Sequence, residues 1–322
     1  AEAFLLEPQS TNLVTYSEDF SNASWNKLNI GTGTVAVTSN QGVAPNGYLT
    51  ADRIQFNLNG GVSASDRSII RFNNSDASNR ILTFYLKSFN GIDQQISLHN
   101  GAEGVPFTVT GDWQRFDFVI PSGFNFQGLG LLGSRGVDSS DLLVWGAQLE
   151  QQSYATSYIP TQGASSTRNQ ELCNNATPVI NSEEGTLYAE IAALADDLTN
   201  RYLGLSDNSQ SNRIAIGFTS AGANRIRLLI TSGIGNYVDI SYTVSNITSN
   251  TKIAISYKLN DVSLWVNGLK VGADTSAVMP SGLSELNFDS GTGGSPFFGN
   301  TKDLKYYPKA LADVQLQDLT TI

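Results

Sequence analysis

Along most of this chain apolar and polar residues alternate with a period of two, in runs of five to ten residues separated by Gly, Asn, Asp, Ser and Pro. That is how half-buried strands joined by turns read. In the first half the pattern predicts strands at Thr34–Thr38, Ala51–Phe56, Ser68–Phe72, Arg80–Phe89, Gln95–Asn100, Trp113–Ile120 and Leu142–Leu149. In the second half it predicts Thr186–Leu194, Arg213–Thr219, Arg225–Thr231, Val238–Val244, Lys252–Leu259, Val262–Asn267 and Glu285–Phe288. The 3.6-residue period appears once, from Ala310 to about Leu319 after Pro308, with Leu311, Val314 and Leu319 on one side.

Many short strands without interleaved helices predict antiparallel sandwiches, not a parallel α/β sheet. The stretch Thr161–Thr167 is small, polar and patternless, and reads as a linker or a domain-closing excursion. The expected fold is therefore all-β: two tandem antiparallel sandwiches with one short C-terminal helix. The expected domains are residues 1–162 and 171–322, with a linker at 163–170. No repeat of 20–50 residues is visible, which disfavours a solenoid or propeller.

Composition narrows the chemistry. A length of 322 residues suits two domains, and 40% apolar content is enough to give each a core. One Cys and one His exclude a disulfide framework, a Cys-based zinc site and a multi-His metal centre. Any Ser-His-Asp machinery must use His99. The net charge of −10 is spread over both halves without a Lys/Arg-rich run, so nucleic acid is not an expected partner. No stretch of ~18 apolar residues predicts a membrane span. The opening Ala1-Glu2-Ala3-Phe4 lacks an initiator Met and a signal-peptide pattern, which suggests a trimmed chain.

Two motifs bracket the first 160 residues. One is Leu6-Glu7-Pro8-Gln9-Ser10-Thr11-Asn12-Leu13, followed by Tyr16-Ser17-Glu18-Asp19-Phe20 and Trp25; the other is Val144-Trp145-Gly146-Ala147-Gln148-Leu149-Glu150, followed by Tyr154-Ala155-Thr156-Ser157-Tyr158-Ile159-Pro160-Thr161. Together they resemble a module of bacteriophage structural proteins, and through it the jelly-roll carbohydrate-binding modules. Those modules often carry an Asp pair where this chain has Gly146-Ala147-Gln148, so the structural calcium that the resemblance implies stays open. The second half resembles the concanavalin A-like, laminin-G-like lectin fold. Its likeness rests on Gly185–Ile191, on Ser256-Tyr257-Lys258 with Val262–Gly268, and on Gly299–Leu311, where an aromatic pair runs into a short helix. These resemblances imply a virion protein, a tail or head fibre exposed outside the cell, often assembled as a homotrimer beside other virion proteins.

Catalytic constellations are sparse. Glycosidases on this type of scaffold need two carboxylates on one strand face, yet Glu190 is followed by Ile191-Ala192-Ala193-Leu194, and the adjacent Glu183 and Glu184 would face opposite ways. A lyase could draw on His99, Tyr85 and Arg115, though nothing in their spacing demands it. Gly291-Thr292-Gly293-Gly294-Ser295 lacks the Lys and the following helix of a phosphate loop. Asp138-Ser139-Ser140-Asp141 offers oxygen ligands without matching a calcium loop.

Binding candidates follow from alternation. Leu82, Phe84 and Leu86 select the core face of one strand, which sends Tyr85 and Lys87 outward. Ile96 and Leu98 do the same for Gln95 and His99; Phe116, Phe118 and Ile120 do it for Trp113 and Arg115. If these strands share a sheet, Tyr85, Gln95, His99, Trp113 and Arg115 form an aromatic and polar surface suited to a glycan strand. The alternative for Trp113 is that it caps the core edge. In the second half Leu264 and Val266 are core, leaving Trp265 outward, as a glycan site or as a packing surface. The expectation is thus a non-catalytic virion surface protein that recognises host polysaccharide, with no cofactor assigned. A purely structural decoration module and a polysaccharide lyase or hydrolase are the alternatives.

Overall fold

The computed structural model describes residues 3–75, 78–99, 104, 106–173, 177–233, 235 and 237–322. In chain order its first strands are β1 (Phe4–Leu6), β2 (Ser10–Asn12), β3 (Trp25–Ile30), β4 (Thr34–Gly42), β5 (Ala51–Asn57), β6 (Arg67–Asn73), β7 (Arg80–Ser88), β8 (Gln94–His99), β9 (Pro106–Val109), β10 (Gln114–Ile120), β11 (Phe126–Leu132), β12 (Ser139–Glu150) and β13 (Ser166–Arg168). Then come β14 (Glu184–Ala193), β15 (Arg201–Ser206), β16 (Arg213–Phe218), β17 (Arg225–Thr231), β18 (Tyr237–Thr243), β19 (Thr251–Lys258), β20 (Asp261–Val266), β21 (Leu269–Asp274), β22 (Glu285–Asn287), β23 (Gly299–Tyr307) and the helix α1 (Asp313–Thr320). Every strand that alternation predicts is present; Asn100, the predicted end of one, lies outside the described residues.

The chain forms two compact units. The first is Gln9–Asn169, and the second consists of the residues up to Pro8 together with Gln170–Ile322. Each is an antiparallel sandwich, so the all-β architecture is the one expected.

In the first unit one sheet has the order β10-β7-β12-β5-β4 and the other β3-β6-β11-β8-β9, with β2 and β13 paired separately. Alternation dictates the core. On β7, Leu82, Phe84 and Leu86 are buried against Ile54, Phe56 and Val144 of the same sheet and Ile70, Ile96 and Leu129 of the facing one. Trp25 completes this core, its ring 4.8 Å from that of Phe20 and its Nε1 donating to Tyr16 O at 2.8 Å.

In the second unit the sheets run β1-β23-β14-β19-β20-β21 and β18-β17-β16-β15-β22. Leu187, Ile253, Ile255 and Leu264 of one pack against Leu203, Ile214, Ile216 and Leu228 of the other. Asn267 and Gly268, with φ of 48° and 82°, make the tight turn between β20 and β21. The helix begins later than expected, at Asp313, where Gln315 Oε1 accepts the Ala312 N–H at 3.1 Å. The start shifts the buried stripe: Leu316 is fully buried with Leu311 and Leu319 beside it, whereas Val314 points to solvent.

Candidate functional site

The outer face of the β10-β7-β12-β5-β4 sheet is where the sequence expects a glycan surface. Arg115, Tyr85 and Trp145 stand in one cross-strand row. The ring centroids of Tyr85 and Trp145 are 5.4 Å apart, those of Trp145 and Tyr158 4.5 Å, and those of Tyr85 and Tyr158 6.4 Å. Ala44, Ala51 and Leu143 pack into the same cluster with Trp113, whose Nε1 donates to Val43 O at 3.0 Å. The guanidinium of Arg115 sits 5.7 Å from the Tyr85 ring centroid, donates to Thr156 O at 2.7 Å and pairs with Asp117 at 3.3 Å. Tyr85 meets Trp145 and Tyr158 edge to face, and those two rings are tilted against each other. The face is a small second core, and its aromatic area is used in packing. Room for it comes from a bulge: the register of β12 on β7 shifts between Trp145 and Gln148, and Gly146 adopts φ of +63° beneath the Tyr85 and Tyr158 rings.

The other expected residues lie elsewhere. Gln95 and His99 are on β8, in the opposing sheet, so their outer face looks away from that of Tyr85. Gln95 is exposed and donates to Thr108 Oγ1 at 2.6 Å. His99 is 3% exposed, stacked on Phe126 with centroids 5.5 Å apart, and neither ring nitrogen has a partner among the described residues. Burial, with the positive charges of Arg71 and Arg67, pulls its pKa down to about 4. The lyase trio of His99, Tyr85 and Arg115 is therefore not assembled. Trp265 does point away from the second core, but α1 covers it: it is 6% exposed against Leu316, Tyr188 and Ala254, with Nε1 donating to Ser263 Oγ at 3.2 Å. The outward Trp of the sequence reading is the floor for a helix.

Other carboxylates raised by the sequence are also occupied. Glu190 accepts from Lys302 at 2.7 Å. Asp141 is held by Arg53 through both oxygens, at 2.8 and 2.6 Å, and Asp138 accepts Gly60 N at 2.8 Å, so this turn is committed to protein donors. Among the described residues no group of three or more His, Cys, Asp or Glu side chains is placed to hold a metal ion.

The bracketing motifs have a structural task. Asn12 donates to Ala147 O and Ile159 O at 3.1 and 2.8 Å and accepts Val14 N and Leu149 N at 3.0 and 3.1 Å. Glu150, fully buried, accepts from Ser10 Oγ, Thr156 N, Thr156 Oγ1, Gln148 Nε2 and Gln152 Nε2. Gln148 Oε1 accepts Ile159 N at 2.6 Å. Buried polar groups are tolerable only when satisfied, and here each stitches the opening segment to the closing one.

That stitching creates a concavity. Tyr16 and Gln162 form an isolated bridge, reinforced by Thr161 N donating to Ser17 Oγ at 2.8 Å and Gly163 N to Thr15 O at 2.8 Å. Buried Asp52, its pKa raised by desolvation, accepts Phe20 N at 2.9 Å and Asn40 N at 3.0 Å, tying the turn at Phe20 to the end of β4. The result is a cavity of about 370 Å³ lined by Tyr16, Glu18, Asp19, Asn40, Thr50, Pro160, Thr161 and Gln162. Glu18 Oε1 accepts the Tyr158 hydroxyl at 2.9 Å, and Asp19 Oδ1 accepts Ser21 Oγ at 2.6 Å and the N–H groups of Ser21 and Asn22 at 3.1 Å. Thr50 Oγ1 is buried and has no partner among the described residues. A pocket of this size with an aromatic wall and convergent polar groups fits the usual form of a small-ligand site. Alternation does not reveal it, because its contributors sit in turns, in an isolated bridge or, for Asn40, in the irregular end of β4; only the Tyr16–Asp19 and Pro160–Thr161 segments stood out, as motif residues.

No family model matches the chain, and no curated protein matches it. Similar solved structures include the CBM40 domain of the Ruminococcus gnavus IT-sialidase bound to α2,3-sialyllactose, at 17% identity over 44% of this chain and 84% of that one, with a TM-score of 0.37. They also include domains LG4-5 of the mouse laminin α1 chain, at 9% identity over 85% and 93%, TM-score 0.32. A third is domain 4 of AbnA, a GH43 extracellular arabinanase from Geobacillus stearothermophilus, in complex with arabinotriose, at 13% identity over the full length of both chains, TM-score 0.29. At these scores none of the likenesses bears on what this chain binds.

Proposed function

We propose that the chain is a non-catalytic saccharide-binding protein whose site is the cavity walled by Tyr16, Glu18, Asp19, Asn40, Thr50 and Gln162. One observation carries this reading: a cavity of about 370 Å³ that joins an aromatic side chain to carboxylates and amides. Sugars need that combination, a flat apolar wall for C–H surfaces and polar groups for hydroxyls. The absence of catalysis is supported by the scattering of His99, Tyr85 and Arg115 over two opposed faces and by the pairing of Glu190 with Lys302.

The bracketing motifs support a finer reading, in which the protein belongs to the outer surface of a phage virion, beside other virion proteins and as a homotrimer, and meets host polysaccharide there. Several weak sites on one particle would then act together, raising avidity by ~10²–10⁴. A purely structural role is the second reading, favoured by the use of Asn12, Gln148 and Glu150 as internal stitching. A glycan array separates the two: binding lost in Tyr16→Ala and kept in Trp265→Ala supports the cavity, and failure of the wild type to bind any host glycan removes the saccharide reading.

A further inference from the structure

The two five-stranded sheets of the first unit have β10, β4, β3 and β9 as their edge strands, and three of these are blunted. An edge strand presents unpaired N–H and C=O groups, which proteins protect with Lys, Pro, bulges or short length. β3 carries Lys27. β9 is four residues long and opens with Pro106. β4 loses its register between Thr38 and Gly42, where Asn40 takes a φ of 57°. β10 has none of these devices. Its seven residues run in unbroken register with β7, and no strand lies on its other side among the described residues.

The two faces of β10 differ. Phe116 and Phe118 turn toward the core, their rings 4.9 and 5.1 Å from that of Phe107. Arg115, Asp117 and Val119 turn the other way, following Trp113, which packs into the outer aromatic cluster. Arg115 and Asp117 pair at 3.3 Å along the strand, and Val119 is 62% exposed. The outward row therefore reads apolar, positive, negative, apolar at Trp113, Arg115, Asp117 and Val119. Such a row is complementary to its own reverse.

We propose that β10 is an interface for a second copy of this chain, the two β10 strands pairing antiparallel about a two-fold axis at Phe116. A two-fold pair sets one residue opposite its own copy, because a slip by one residue would turn inner side chains outward. Centred on Arg115 or Asp117, the pair opposes like charges; centred on Phe118, it leaves Asp117 facing Val119. Centred on Phe116, it sets Arg115 opposite Asp117 and Trp113 opposite Val119, each twice, with the two Phe116 rings together on the inner face. The contact joins two five-stranded sheets into one and is independent of the saccharide reading. It is complete with two copies, so any three-fold contact would use another surface.

The test is analytical ultracentrifugation of the full chain over a concentration series of about 1 µM to 1 mM, the range in which weak pairing shows. The wild type should associate as concentration rises. Asp117→Arg and Arg115→Asp each oppose like charges in this register, and each should weaken association by about tenfold or more. Mixing these two variants restores both charge pairs and should recover association that neither shows alone. Val119→Lys, at an exposed position, should weaken it as well without touching the contacts of Arg115; circular dichroism checks that all three fold. A wild type that stays monomeric throughout the series overturns the proposal, as does association that survives both charge reversals. Failure of the mixture to associate overturns the register centred on Phe116, and the proposal with it.

Discussion

Asn12 Oδ1 accepts the Leu149 N–H at 3.1 Å across a sequence separation of 137 residues. The same side chain also holds Val14 N, Ala147 O and Ile159 O, so its full hydrogen-bonding capacity is used where no water reaches. Replacing Asn12 with Ala leaves two buried N–H groups and two carbonyls short of a partner. At about 1–3 kcal/mol for an unsatisfied buried group, with partial relaxation, the expected loss is about 3 kcal/mol or more. Urea unfolding followed by separate probes for the two units should show the transition of Gln9–Asn169 moving to lower denaturant and the other unmoved. An unchanged midpoint would remove the stitching role from this residue.

His99 sets a pH dependence. Its pKa in the folded chain is pulled down from 6.5 to about 4, first by burial and then by Arg71 and Arg67. Below about pH 6.5 the unfolded chain takes a proton that the folded one refuses, so this contribution is complete above 6.5 and is lost as the pH falls through about 4. His99→Phe keeps a flat ring against Phe126 and removes the titration. The first unit of this variant should lose less stability between pH 7.5 and 4.5 than the wild type does; parallel pH profiles would show that His99 is not the cause.

Much of the fold was legible and much of the site was not, for one reason. Strands such as β7, with Leu82, Phe84 and Leu86 on one side, write their inner face into the sequence at period two. The strands that alternation passes over, including β11 and β15, carry Gly128, Gly130 and Gly204 at outward positions, where a polar residue would have marked the pattern. Outward position, moreover, is not exposure. Tyr85, Trp113 and Trp265 do leave the cores of their sandwiches, yet bulged β12, the Val43–Thr50 loop and α1 fold back over them, and each covering is a tertiary event without a local signature. The cavity is hidden for the same reason: Asn40, Thr50 and Gln162 are brought together by Asp52 and the Tyr16–Gln162 bridge, which tie segments distant in sequence to one another.

The helix α1 should report on Trp265 directly. Leu316 is fully buried against Trp265 and Tyr188. Leu316→Ala opens a cavity there, with an expected cost of about 2–5 kcal/mol. It should also raise the exposure of Trp265, seen as a red shift in the difference emission between Leu316→Ala and the Leu316→Ala, Trp265→Phe double variant. Val314→Ala, on the solvent side of the same helix, should do neither. If the two single variants behave alike, the helix does not cover the sheet in solution.

Gly146 links the aromatic cluster to the cavity. Its φ of +63° is the left-handed region, and a Cβ there would lie 3.0 Å from Tyr85 Cδ2 and 3.4 Å from Tyr158 Cε2. Gly146→Ala therefore meets both a backbone cost of about 1–2 kcal/mol and a crowded ring pair. Because the Tyr158 hydroxyl is bonded to Ser17 Oγ at 2.7 Å and Glu18 Oε1 at 2.9 Å, displacing its ring moves the carboxylate that walls the cavity. The variant should thus lose about 1–3 kcal/mol of stability and weaken saccharide binding together. Tyr158→Phe, which keeps the ring and deletes the hydroxyl, should weaken binding with a smaller loss of stability. Binding that survives both substitutions would place the ligand somewhere other than beside Glu18.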